Sequence, residues 1–289
     1  ETAELWLHCG PRDLAEHLSE LPAYGMHVLA ARQPDVSPSA SAMLTLDVYV
    51  DGVAVGDGIT PETIELGVGC EHSACGHADS VAWVVPAIHA MARQQRPRIF
   101  NQLRRAPPAI AEAAALEQYL EDAQRRIGPP VEWGFFTPRG FPIKTAREFL
   151  QAMSVCGTVY AFEGGNWIWP GIRVGHNVTI PAGGQVVGDV TLTTLSLIPP
   201  VFVVDGLLNK EISNEIIAAS GTRVVMSKSP GRTSAQSDLN HGGALVEKIR
   251  REAHRVMNTP LSHGEPLQLV RYQPRQHYDY HTDCFDPDM

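Results

Sequence analysis

Glu265-Pro266-Leu267-Gln268-Leu269-Val270-Arg271-Tyr272-Gln273-Pro274-Arg275-Gln276-His277-Tyr278-Asp279-Tyr280-His281-Thr282-Asp283 is the stretch that decides how this chain reads. Leu267 to Tyr272 carries the apolar and aromatic residues of a strand. At the other end a histidine and an aspartate stand two apart, and in an extended strand such positions face the same side. His281 and Asp283 therefore share a face while Thr282 points away. One imidazole nitrogen and one carboxylate oxygen are two of the three ligands that hold non-haem Fe(II) while leaving coordination positions open. In a chain with 12 histidines a His-x-Asp triplet is unspecific, so the weight rests on its surroundings. Tyr278 lies an odd number of residues from His281. A regular strand would turn the two apart, and only a bend or a late strand start brings them together.

Upstream, Val201-Phe202-Val203-Val204 is an apolar run bounded by Pro199-Pro200 and Asp205-Gly206, and it predicts a strand that opens a new domain. Lys210 to Ser220 reads as a helix terminated by Gly221. Ala244 to Met257 reads as a second helix, with Leu245, Ile249 and Val256 along one side. Arg232-Thr233-Ser234 lies between them. Helices followed by a run of strands suit an α+β arrangement in which helices buttress a mostly antiparallel sheet.

In the Glu, Leu-Gln, Tyr, Gln, Tyr and His-x-Asp of the quoted run, in Arg232-Thr233-Ser234 and in the Val201 to Leu208 strand, residues 201–289 resemble the prolyl 4-hydroxylase family of iron(II)- and 2-oxoglutarate-dependent dioxygenases. The resemblance implies the N-terminal half of a double-stranded β-helix (jelly roll), truncated here and buttressed by helices. It implies that His281 and Asp283 bind Fe(2+), that Tyr272 hydrogen-bonds 2-oxoglutarate, and that Tyr278 lies against the target proline. Arg232 and Glu265 would border the peptide groove on mobile loops. The implied reaction is hydroxylation of peptidyl proline at C4 with conversion of 2-oxoglutarate to succinate, L-ascorbate rescuing oxidised iron. The implied partner is a proline-containing peptide or protein. The endoplasmic reticulum or secretory route is slightly favoured by the resemblance, while compartment and oligomeric state stay open.

The family carries a second histidine ligand and a lysine that pairs with the 2-oxoglutarate carboxylate on later strands. Here only Cys284 to Met289 follow Asp283. The expectation is that the chain as given is an incomplete and inactive part of an enzyme. Without the resemblance, Tyr272 and Tyr278 read as half-buried aromatics with wet hydroxyls, and Arg232 and Glu265 as solvated charges. A second class of reading is a non-catalytic peptide-binding or scaffold module with a degenerate hydroxylase end.

Residues 1–150 read as a mixed α/β region of unknown function. Helices are expected over Pro11 to Leu21, Val81 to Gln95 (interrupted by Pro86) and Ala109 to Ile127, and a strand over Met43 to Val50, after a turn-rich segment from Gln33 to Ser41. Residues 151–200 read as a connecting segment rich in Gly, Pro and aromatics. A helix is expected near Thr145 to Met153, and two short strands joined by a glycine turn within Gly157 to Pro170. The aromatics here lack basic interleaving and read as packing rather than base stacking. Cys70-Glu71-His72-Ser73-Ala74-Cys75-Gly76-His77 has the wrong spacing for a usual zinc module and reads as a chance cluster in a turn.

With 289 residues and 44% of them hydrophobic, the chain suits two domains better than one. Its net charge of -9 argues against a general phosphate-backbone binder, so no nucleic-acid partner is expected. No apolar run is long enough to span a bilayer. The 5 cysteines are too sparse for a disulfide framework. Asn177-Val178-Thr179 is a glycosylation sequon whose use requires a secretory route.

Overall fold

The computed structural model describes residues 23–32, 42–52, 61–68, 80–105, 110–125, 132–182, 188–220, 224–239 and 243–281. The expected helix Pro11 to Leu21, the 33–41 segment, the Cys70 to His77 cluster, Gly221 and Asp283 lie outside the described residues. Two compact units emerge, one comprising residues up to Ile180 with Thr191–Val204, the other Pro181–Val190 with the chain from Asp205 onward.

The first unit is organised by β6 (Thr158–Glu163), all six of whose residues are buried. Side chains alternate across a strand. Val159 and Ala161 accordingly join the core under the helices, with Leu29, Leu46, Ile88, Phe149 and Met153. Tyr160 and Phe162 take the opposite face, where their rings meet Trp167 at 5.9 and 5.4 Å. β6 lies between β1 (Met26–Ala31) and β4 (Trp133–Phe136) in a sheet of order β3-β2-β1-β6-β4-β5. The others are β2 (Ala42–Tyr49), β3 (Glu62–Val68) and β5 (Pro142–Ile143), and every pairing is antiparallel.

Three helices belong to this unit: α1 (Val85–Leu103), α2 (Ile110–Arg125) and α3 (Ala146–Cys156). Pro86, expected to interrupt α1, instead sits in its first turn, where a missing N–H costs nothing. Thr145 and Glu148 form a reciprocal capping box at the start of α3, and Gly157 ends it in the left-handed conformation. Residues 157–170 form one strand rather than two. Past Gly164 and Gly165, both at positive φ, the chain leaves the sheet and buries Trp167 and Trp169 as packing aromatics. Cys156 is disulfide-bonded, and the other four cysteines lie outside the described residues.

Strand parity has a costly consequence at two positions. His27 shares the helix-side face with Leu29, and Glu163 shares it with Ala161, so both polar groups are buried where apolar ones are wanted. Arg96 of α1 meets them. Its Nη2 lies 2.5 Å from Glu163 Oε1 and 3.0 Å from Asp51 Oδ1, with Nε 2.9 Å from Asp51 Oδ2. Asp51 also accepts from Gly25 N at 2.9 Å and Tyr119 Oη at 3.2 Å, and its own N–H donates to His27 Nδ1 at 3.2 Å. His27 Nε2 therefore carries a proton and donates to Glu163 Oε1 at 2.9 Å. Burial alone would raise the Glu163 pKa. The His27 hydrogen bond and the Arg96 guanidinium outweigh it and hold the carboxyl down at about 2.

A second sheet, of order β7-β8-β9, comprises β7 (Asn177–Ile180), β8 (Val190–Leu197) and β9 (Pro200–Asp205). The expected strand at Val201 to Val204 is thus β9, paired with the segment before it, and through Val204 it belongs to the first unit. The second unit carries α4 (Lys210–Ser220), α5 (Gly243–Met257) and a three-stranded sheet of β10 (Val225–Met226), β11 (Ala235–Asp238) and β12 (Gln268–Arg271). α5 buries Val246, Ile249 and Val256, with Leu245 half-buried. The described residues thus form a mixed α+β structure of antiparallel sheets and five helices, in which no sheet closes into a barrel. No described helix is long and apolar enough to cross a membrane.

Candidate active site in the C-terminal unit

β11 is the middle strand of its sheet, with Gln236 opposite Val270 and Asp238 opposite Gln268. The chain reaches it through Ser229-Pro230-Gly231-Arg232, where Arg232 N donates to Ser229 O at 3.2 Å and Gly231 has φ 71. Proline followed by a positive-φ glycine is the composition of a type II turn. A side chain at Gly231 would also collide, since a Cβ there would lie 2.6 Å from Asp279 Oδ2.

This turn anchors the segment that follows β12. Arg232 and Tyr278 form an antiparallel bridge, Asp279 N donates to Gly231 O at 2.9 Å, and Thr233 N donates to His277 O at 2.9 Å. His277 N returns a bond to Thr233 Oγ1 at 2.8 Å. Between β12 and the bridge the strand is interrupted. Gln276 N donates to Gln273 O at 2.9 Å, and Arg275 takes φ 73. After the isolated bridge at Tyr278 the chain is no longer a strand, so the alternation that would have separated Tyr278 from His281 does not hold there. Their rings stack with centroids 3.9 Å apart and planes inclined by 30°.

Arg232 takes the other face of the same ring, its guanidinium carbon 4.1 Å from the centroid. Two groups about 4 Å from one centroid cannot share a face, so Tyr278 lies between Arg232 and His281. Arg232 Nη1 donates to Gln236 Oε1 at 3.2 Å and to Gln268 Oε1 at 3.1 Å, while its buried Nε has no hydrogen-bond partner among the described residues. His281 Nδ1 lies 2.8 Å from the carbonyl oxygen of Asp279. A carbonyl only accepts, so Nδ1 carries the proton and the lone pair resides on Nε2. This is the arrangement by which second-shell carbonyls orient metal-ligating histidines.

Asp283, the other expected ligand, lies outside the described residues. Among the described residues no three His, Cys, Asp or Glu side chains come together as a metal-binding group. Tyr272, 46% exposed just past β12, and Glu265, exposed ahead of that strand, make no hydrogen bond, ion pair or ring contact with Arg232, Tyr278 or His281. Gln236 and Gly231 were not singled out from sequence, and Gln268 and Thr233 entered only as part of the resemblance, with no role assigned. Ser229-Pro230-Gly231 is the signal that would have found the turn.

The first unit also has a cleft of about 660 Å³ between the start of α1 and the β4-β5 edge, walled by Trp133, Phe135, Phe136 and Pro142. His89 and Lys144 are its only ionisable described lining groups, so no acid–base pair is assembled there. Comparison with known proteins finds no matching family model, no matching curated protein and no matching solved structure.

Proposed function

We propose that residues 201–289 carry the metal-binding strand and part of the peptide groove of an iron(II)- and 2-oxoglutarate-dependent prolyl 4-hydroxylase, and that their sheet is part of a double-stranded β-helix. The observation that supports this best is the Arg232, Tyr278 and His281 stack, with the Asp279 carbonyl presenting His281 Nε2 for ligation. In this reading His281 and Asp283 hold Fe(2+), and Tyr272 donates its hydroxyl to 2-oxoglutarate. Tyr278 has both ring faces occupied, so it fixes the His281 imidazole and meets the target proline along its edge. Arg232, its Nη1 held by Gln236 and Gln268, borders the peptide groove in this reading. Glu265, exposed ahead of β12, borders the groove as well. The chemistry that Fe(2+) and 2-oxoglutarate supply when bound is activation of dioxygen and oxidation at proline C4, with L-ascorbate keeping the iron reduced.

Anaerobic titration of Fe(2+) into the gene's full product with 2-oxoglutarate present tests the ligand assignment. Binding of about one ion per chain is expected, and His281→Ala should weaken it about tenfold or more. Equal affinity in the variant would contradict the assignment. Tight binding of a proline-rich peptide with no affinity for iron would favour the scaffold reading instead.

A further inference from the structure

We infer that Asn177 is an N-glycosylation site. Asn177-Val178-Thr179 is the single Asn-x-Ser/Thr tripeptide of the chain, and it begins β7, an edge strand of its sheet. Residues two apart share a strand face. Asn177 and Thr179, the two residues the modification requires, are both exposed, while Val178 is half-buried and Ile180 buried. Among the described residues the Asn177 side chain makes no hydrogen bond that a glycan would break. A sugar on this amide projects from the solvent side of an edge strand, where a bulky group costs no packing.

A second, independent feature concerns the compartment. Cys156 is disulfide-bonded, and such bonds persist in oxidising compartments, the same route on which asparagine-linked sugars are attached. The donor class is a lipid-linked oligosaccharide diphosphate. Asn177 Nδ2 forms a bond to the anomeric carbon of the first sugar, the bond from that carbon to the diphosphate oxygen breaks, the amide gives up one proton, and the lipid diphosphate leaves. No electrons change hands. The inference is independent of the hydroxylase reading, because β7 and Cys156 lie outside residues 201–289.

The test is to produce the gene's full product in its own cells, treat it with peptide N-glycosidase, and map the tryptic peptide Val174 to Lys210. The enzyme should sharpen and lower the gel band and convert residue 177 to aspartate. Asn177→Gln and Thr179→Ala should run at the deglycosylated position without treatment. Thr179→Ser keeps the signal and should keep the shift, which separates loss of the sequon from a folding defect. Wild-type protein with unmodified Asn177, or a glycosidase-sensitive shift surviving in Asn177→Gln, would overturn the inference.

Discussion

Tyr278 depends on its two neighbours, and they depend on it. An exposed histidine has little reason to hold one rotamer, and His281 is held by a ring on one side and a carbonyl at Nδ1. Tyr278→Ala should therefore let the imidazole sample both tautomers. Nitrogen NMR of the ring would show the Nδ1 and Nε2 signals moving toward each other, whereas Tyr278→Phe should leave them apart. Gly231 is the other sensitive residue, because its positive φ and its approach to Asp279 both exclude a side chain. Gly231→Ala should destabilise the second unit by about 1–3 kcal/mol, read by urea denaturation.

Elements were legible in the sequence to the degree that one of their faces is wet. α4 and α2 were found nearly to the residue from helical periodicity, because each keeps an exposed side. β2 was found through its alternation. β1 was missed because Met26 to Leu29 are all buried, which erases the period-2 signal. β6 was placed in a connecting segment, although it lies between β1 and β4. Its composition resembles a hairpin's, and only long-range pairing with Met26 to Ala30 reveals its place. In the candidate site, His281 and Tyr278 were singled out through the family resemblance, while strand alternation alone argued for separating them. That the chain departs from regular strand between them was anticipated only as a requirement of parity. Among the helices, α3 owes its start to Thr145, and Thr145→Ala should cost about 1 kcal/mol by removing the hydroxyl that caps Glu148 N. A thermal-unfolding comparison would check this, and Thr145→Ser should recover most of the loss.

At the scale of the whole molecule, the first unit is held by a charge network that no local pattern announces, since its members are spread from His27 to Glu163. The Glu163 carboxyl has a pKa depressed to about 2 against the ordinary 4.5. A depressed carboxylate contributes stability that is fully present above the unfolded value and lost as pH falls through the folded one. With His27 and Arg96 both facing it, the stability of this unit should decline between about pH 4.5 and 2. Glu163→Gln should flatten that decline while lowering stability near neutrality by about 3 kcal/mol. A steep acid transition unchanged in Glu163→Gln would assign the effect to other carboxylates.

The second unit presents an aromatic stack and an oriented histidine beside a small antiparallel sheet, and we propose that these serve proline oxidation. Hydroxyproline analysis of a proline-rich peptide incubated with the gene's full product, Fe(2+), 2-oxoglutarate and ascorbate in air tests that claim most directly. The account predicts 4-hydroxyproline and matching succinate with the wild-type protein, and neither with His281→Ala. Undiminished hydroxylation by His281→Ala, or peptide binding with no hydroxyproline from the wild-type protein, would contradict it.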